Sequence, residues 1–163
     1  MAHTILPTCS GCTACQRQCP TGAIFGERDE LHVIDPRRCI DCGVCGWNCP
    51  TETVIDPHGT LVERLPRKNR PHPRIDAVLC NGCALCSEIC PFDCIAVIGP
   101  RFQGIAILDA PERCVSCGEC EDICIKRAVR MGRLPLRDYD RERERERVEV
   151  ILGCDPGLPG GRR

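Results

Sequence analysis

Cys9-Ser10-Gly11-Cys12-Thr13-Ala14-Cys15-Gln16-Arg17-Gln18-Cys19-Pro20 sets four cysteines at gaps of two, two and three residues. The same gaps recur at Cys39, Cys42, Cys45 and Cys49, at Cys80, Cys83, Cys86 and Cys90, and at Cys114, Cys117, Cys120 and Cys124. The first two runs start 30 residues apart (Cys9 to Cys39) and the last two 34 apart (Cys80 to Cys114), with 41 from Cys39 to Cys80. The chain is therefore a duplicated unit that is itself a duplication. Three runs close on Cys-Pro, at Pro20, Pro50 and Pro91; the fourth closes on Ile125.

Eighteen of 163 residues are cysteine, whereas Phe25, Trp47, Phe92, Phe102 and Tyr139 are the whole aromatic complement. So few large apolar side chains cannot hold small domains together unaided, and cysteine at this density means disulfides or metal. Disulfides need an oxidising compartment. The start, Met-Ala-His-Thr-Ile-Leu-Pro-Thr-Cys, has neither the basic opening nor the apolar run of a secretory signal. The expectation is a cytoplasmic protein with reduced, metal-bound thiols. No apolar run is long enough for a transmembrane segment. The net charge of −1 offers no basic excess, so nucleic acid is not expected as a partner.

The spacing itself points to clusters. A cubane presents four iron corners, each wanting a thiolate, and cysteines three apart wrap three thiolates around one small object. A helical turn then carries the fourth away toward a second cluster, and the closing proline completes the signature of a two-cluster site. Small or polar residues in the gaps, such as Ser10-Gly11, Asn81-Gly82 and Ser116, let backbone N–H groups approach cluster sulfur. Four thiolates also suit zinc, but zinc motifs come as separated Cys-x-x-Cys pairs.

After each run stands a short apolar segment: Ala23–Phe25, Thr53–Ile55, Cys94–Ile98, and Ala128 with Val129. A helical turn opened by the proline, then a strand, is the expected local structure. Gly26–Glu30 and Gly99–Gly104 read as turns into Leu31–Ile34 and Ile105–Leu108, giving two β-hairpins. The segment 61–74, with its prolines and with Arg64, Arg67, Lys68, Arg70 and Arg74, reads as a solvated linker. Leu61, Val62 and Leu65 are the alternative, a short strand.

With these motifs the chain resembles, twice over, the bacterial-type ferredoxin family with two [4Fe–4S] clusters per domain. The fold class implied is α+β: two tandem two-cluster ferredoxin-like domains with short helices and hairpins, at 1–60 and 75–133, joined by 61–74. Residues 134–163 form a C-terminal extension, read as a partner-docking arm. The resemblance implies four [4Fe–4S] clusters. Carried over, Cys9, Cys12, Cys15 and Cys49 hold the first, and Cys39, Cys42, Cys45 and Cys19 the second. Cys80, Cys83, Cys86 and Cys124 hold the third, and Cys114, Cys117, Cys120 and Cys90 the fourth. It implies electron transfer without catalysis, as the polyferredoxin subunit of a larger oxidoreductase, with a tungsten or molybdenum enzyme acting on aldehydes or acyl-CoA esters as the best fit. The implied partners are a catalytic oxidoreductase subunit, a flavin subunit and further copies of the chain. A free ferredoxin shuttle and a structural zinc or interaction module are the rivals.

The remaining residues carry weaker signals. Cys94 stands four places after Cys90, as Ala23, Thr53 and Ala128 stand after their own cysteines, so it reads as a small buried residue rather than a ligand. Cys154 reads as a free thiol. His3, His32, His58 and His72 follow no pattern and are expected at surface or hairpin positions. Lys126 and Arg127 would favour a reduced cluster beside them or simply form a solvated turn. Asp140–Arg147 alternates acid and base, and Val148–Leu152 reads as a short apolar strand behind it.

Overall fold

The computed structural model describes residues 2–153. It divides into two compact units, one ending at Arg70 and the other beginning at Pro71, with the short stretch Val115–Cys117 counted in the first. Cys154 lies outside the described residues, as do Gly157, Gly160 and Gly161.

The first unit runs β1 (Thr4–Ile5), α1 (Ala14–Gln18), β2 (Ile24–Phe25), β3 (Val33–Ile34), α2 (Val44–Asn48) and β4 (Val54–Ile55). Its first and last strands pair antiparallel, Ile5 opposite Val54, and β2 pairs with β3, Ile24 opposite Ile34. Each strand is two residues long, too little for an independent sheet. The buried core is Ile5, Ile24 and Val54 together with Cys15, Cys45 and Cys49. Half of it is cysteine.

The second unit repeats the plan with longer strands. It runs β5 (Pro71–Ile75), α3 (Leu85–Glu88), β6 (Ile95–Ile98), β7 (Ile105–Leu108), α4 (Glu119–Asp122), β8 (Val129–Pro135) and α5 (Arg141–Ile151). Again the outer strands pair, β5 with β8, and the inner ones form a hairpin, Ile95 opposite Leu108 through Ile98 opposite Ile105. All four residues of β7 are buried. Successive strand side chains face opposite sides. Accordingly Ala106 and Leu108 join Cys86, Cys114 and Cys120 in one core, while Ile105 and Ile107 pack with Val148 of α5 on the other side.

Three expectations are corrected here. The helical turn expected between the third and fourth cysteines is present, but none opens at the proline: Pro20 and Pro50 stand in turns after the helix has ended. The segment 61–74 is folded. Leu61 bridges Ile55, Val62 N–H donates to Val54 O at 2.9 Å and Leu65 N–H to Trp47 O at 3.2 Å. Arg70 is buried, donating to Leu65 O at 2.9 Å and Asn48 Oδ1 at 3.0 Å and lying over the Trp47 ring. Its charge is placed by hydrogen bonds and an aromatic face instead of water. From Pro71 the chain is already strand β5.

The third correction is the extension. Arg and Glu are strong helix formers, and Asp140 caps them by accepting from Arg143 N–H at 3.0 Å. Val148–Leu152 is thus the end of a helix, not a strand. Val148 is 1% exposed and Arg145 pairs with Asp109 at 2.8 Å, which makes α5 part of the second unit. Val150 and Ile151 remain exposed. Among the described residues no helix is long and apolar enough to cross a membrane.

Candidate metal centres

In every run the residues flanking the second cysteine are left-handed: Gly11 and Thr13, Asp41 and Gly43, Gly82 and Ala84, Ser116 and Gly118. This conformation costs a residue with a Cβ on the order of 1 kcal/mol, so something must hold Thr13, Asp41, Ala84 and Ser116 in it. Backbone curled this way turns consecutive N–H groups inward, the arrangement found around anions and iron–sulfur groups. Glycine is obligatory at Gly11, where a Cβ would stand 2.3 Å from Glu30 N, and at Gly82, where it would stand 2.5 Å from Gly104 O. Both are where a run presses against its hairpin.

A second repeated feature lies after the fourth cysteine. The third residue on is left-handed in all four runs: Gly22, Glu52, Asp93 and Arg127. The chain turns back there, and the next N–H donates to the cysteine sulfur. Ala23 reaches Cys19 Sγ at 3.3 Å, Thr53 reaches Cys49 at 3.4 Å, Cys94 reaches Cys90 at 3.4 Å and Ala128 reaches Cys124 at 3.3 Å. The fourth run keeps this turn with Ile125 in place of proline, so the turn does not depend on the proline.

The cysteines come together across runs. One cavity, with about 280 Å³ of empty space, is lined by Cys9, Cys12, Cys15 and Cys49. Another, with about 320 Å³, is lined by Cys39, Cys42, Cys45 and Cys19. Each takes three cysteines from one run and the last from the other. In the second unit the neighbours that bear on the Cys86 thiol are Cys80, Cys83 and Cys124, again a crossed set. Cys94 bridges Cys90 to Cys114. Among the described residues no three His, Cys, Asp or Glu are gathered as a single ion requires.

These thiols are held in opposing states. Burial, with neighbouring thiolates adding to it, pushes Cys15 and Cys86 up to about 11 and Cys45 up to about 12. Cys42 is raised by burial for the same reason. Burial also weighs on Cys49, yet hydrogen bonds from Thr51 and Thr53 outweigh it and the thiol is lowered. Cys90 is lowered to about 6, chiefly by the Cys94 hydrogen bond, while Cys94 itself is pushed far up by its bonds to Cys114 and Cys90. A buried thiol that resists ionising in bare protein is deprotonated outright by a metal. The sulfur donor set and the N–H groups turned toward it fit a [4Fe–4S] group.

Cys94 is 2% exposed with its Sγ 3.6 Å from Phe92 O, a buried residue as its register implies. His32 stands in the β2–β3 hairpin and is buried there, His3 and His72 are buried where surface or hairpin positions were expected, and His58 is exposed. His32 lines the first cavity with Nε2 unpartnered, its Nδ1 donating to Glu30 O at 3.0 Å. His3 lines the second, 2.8 Å from Asp41. Lys126 and Arg127 are exposed. Missed in the sequence were Thr51 and Thr53, whose hydroxyls lie 3.5 and 3.4 Å from Cys49 Sγ. Their signal was available: hydroxyl side chains two and four places after the last cysteine of a run.

Residues 8–55 match a family model described as a 4Fe-4S dicluster domain, and residues 72–125 match a second model of that description. A polyferredoxin of Methanothermus fervidus is 33% identical over 117 residues, 66% of this chain and 25% of its own length. Ferredoxin Fdx2 of Sorangium cellulosum is 37% identical over 83 residues, 45% of this chain and 80% of its own. Ferredoxin-2 of Chlorobaculum tepidum is 38% identical over 61 residues, 34% of this chain and 97% of its own. The chain spans a quarter or less of the first curated relatives it matches, 25% of the polyferredoxin and 19% of another.

Proposed function

This chain belongs to the 4Fe-4S dicluster ferredoxins, with two such domains in tandem, and from that premise we propose that it is the iron–sulfur relay subunit of a larger oxidoreductase. Its iron–sulfur domains carry electrons, and two dicluster domains amount to four [4Fe–4S] clusters. The ligand sets we propose are Cys9, Cys12, Cys15 and Cys49; Cys39, Cys42, Cys45 and Cys19; Cys80, Cys83, Cys86 and Cys124; and Cys114, Cys117, Cys120 and Cys90. The first two sets are supported by the crossed lining of the two cavities in the first unit, and the other two repeat that crossing by duplication, with Cys124 beside Cys86. Clusters held by these cysteines would supply one-electron redox chemistry.

The chain's own part is to hold and to insulate. Thiolates anchor the iron, the left-handed loops turn N–H groups toward sulfur, and Ile5, Ile24 and Val54 keep water from the buried side. Cys12 is exposed, which leaves that cavity an edge toward solvent where a redox partner can approach. The chemistry of the parent enzyme lies with a catalytic subunit, and a tungsten or molybdenum enzyme acting on aldehydes or acyl-CoA esters is the assignment we favour. A flavin subunit and further copies of the chain complete the partners we propose. Iron and acid-labile sulfide in anaerobically purified protein should each come to about sixteen per chain, four per cubane. Eight or fewer irons with stoichiometric zinc would overturn this. Co-purification with a large subunit at fixed stoichiometry separates a relay subunit from a free carrier.

A further inference from the structure

Every fourth cysteine receives one backbone hydrogen bond from the residue four places on, at 3.3–3.4 Å in all four runs. That contribution is common to the four sites and cancels between them. In the first unit a second contribution also cancels: Thr21 Oγ1 lies 3.6 Å from Cys19 Sγ, and Thr51 Oγ1 lies 3.5 Å from Cys49 Sγ. The two sites part at the residue four places on, which is Ala23 after Cys19 and Thr53 after Cys49. Thr53 Oγ1 lies 3.4 Å from Cys49 Sγ, and Thr53 is 4% exposed. A cysteine bound to iron has no proton, so the hydroxyl must be the donor.

We propose that the buried Thr53 hydroxyl is a potential-setting group, raising the reduction potential of the cluster that takes Cys49 above what the site would otherwise give, while the companion cluster on Cys19, with Ala23 in that place, lacks this contribution. The inference rests on the crossed ligand reading above. Reduction adds one electron, and with it one negative charge, to the cluster and its thiolates; no bond is made or broken. A hydrogen bond to thiolate sulfur stabilises the more negative form more than the oxidised one, and so eases reduction. Burial decides which threonine matters. Thr51 is exposed, and water replaces its hydroxyl when it is removed. Thr53 is buried, where a lost donor is not replaced. Cys94 occupies the corresponding place after Cys90, but its one S–H, a weak donor, also has Phe92 O within reach at 3.6 Å.

The test is a dithionite titration of the full chain followed by electron paramagnetic resonance, with iron analysis of every sample. In Thr53→Val, one of four one-electron steps should become roughly tenfold harder, about 59 mV lower for a single electron, with the other three unmoved. Thr53→Ser should stay at the wild-type value, and Ala23→Ser should raise a different step. Unmoved potentials in a fully loaded Thr53→Val protein overturn the proposal, as does a Thr53→Ser protein shifted like Thr53→Val, since packing would then be the cause. If Thr53→Val loses iron, Ala23→Ser decides alone: a raised step supports the proposal and an unmoved one overturns it. Wild-type protein without iron would count against the cluster reading itself, so the two failures are distinguishable.

Discussion

Val33 in β3 and Ile107 in β7 hold the same place in two copies of one hairpin, yet Val33 is 56% exposed and Ile107 3%. The inner faces of both hairpins lie against cysteine-lined cores. Among the described residues only the second hairpin has its outer face covered within its own unit, by Val148 of α5 and by Leu152 just past its end, packing on Ile105 and Ile107. In the first unit Phe25, opposite Val33, and Leu31 are 45% and 46% exposed. One unit thus draws on apolar burial of its own, with strands of four to seven residues. The other has two-residue strands and a core that is half sulfur. Duplication supplied two equal ligand frames, and what differs is how much each frame depends on the metal it was built to hold.

The largest test of that contrast is metal removal under reducing, anaerobic conditions. A structural metal site contributes its binding free energy directly to folding. The first unit should lose amide-exchange protection throughout, whereas β6, β7 and α5 of the second should keep measurable protection. Equal loss in both units would show that α5 adds nothing independent of the clusters. A smaller effect is expected from Cys19→Ala. On the crossed ligand sets we propose, this variant should lose about four of sixteen irons, from the site on Cys39, Cys42 and Cys45. If the lost cluster is instead the one on Cys9, Cys12 and Cys15, the crossing is wrong. Smallest is Val148→Ala. Removing two buried methyl groups should destabilise the second unit by about 2 kcal/mol in denaturant titration of the loaded protein. Val150→Ala, at a residue 72% exposed, should stay within roughly 0.5 kcal/mol. Equal effects would mean that the helix is not seated on β7.

The same comparison shows where the sequence was legible. Ile105-Ala106-Ile107-Leu108 is a continuous apolar run, the mark of a strand buried on both faces, and it called for a cover that the chain supplies 40 residues later at Val148. The alternating charges of Asp140–Arg147 concealed that cover, since they suit a solvated face as well as a helix. In segment 61–74 the prolines and arginines have the composition of a linker. That Arg70 is buried depends on Leu65 O, Asn48 Oδ1 and the Trp47 face meeting around it, which composition does not record.

By itself the sequence determined the four cysteine runs, their two-level duplication and the cluster chemistry, because ligand spacing is local. It equally determined that two hairpins follow. Tertiary structure alone decided which hairpin face is covered, how the segment before Pro71 is bound to the first unit, and that the Thr53 hydroxyl meets Cys49 Sγ while Thr51 is exposed. Those outcomes rest on contacts between residues far apart in the chain or on which side of a turn meets water. A local pattern can name the donors, but only packing decides which of them water can replace.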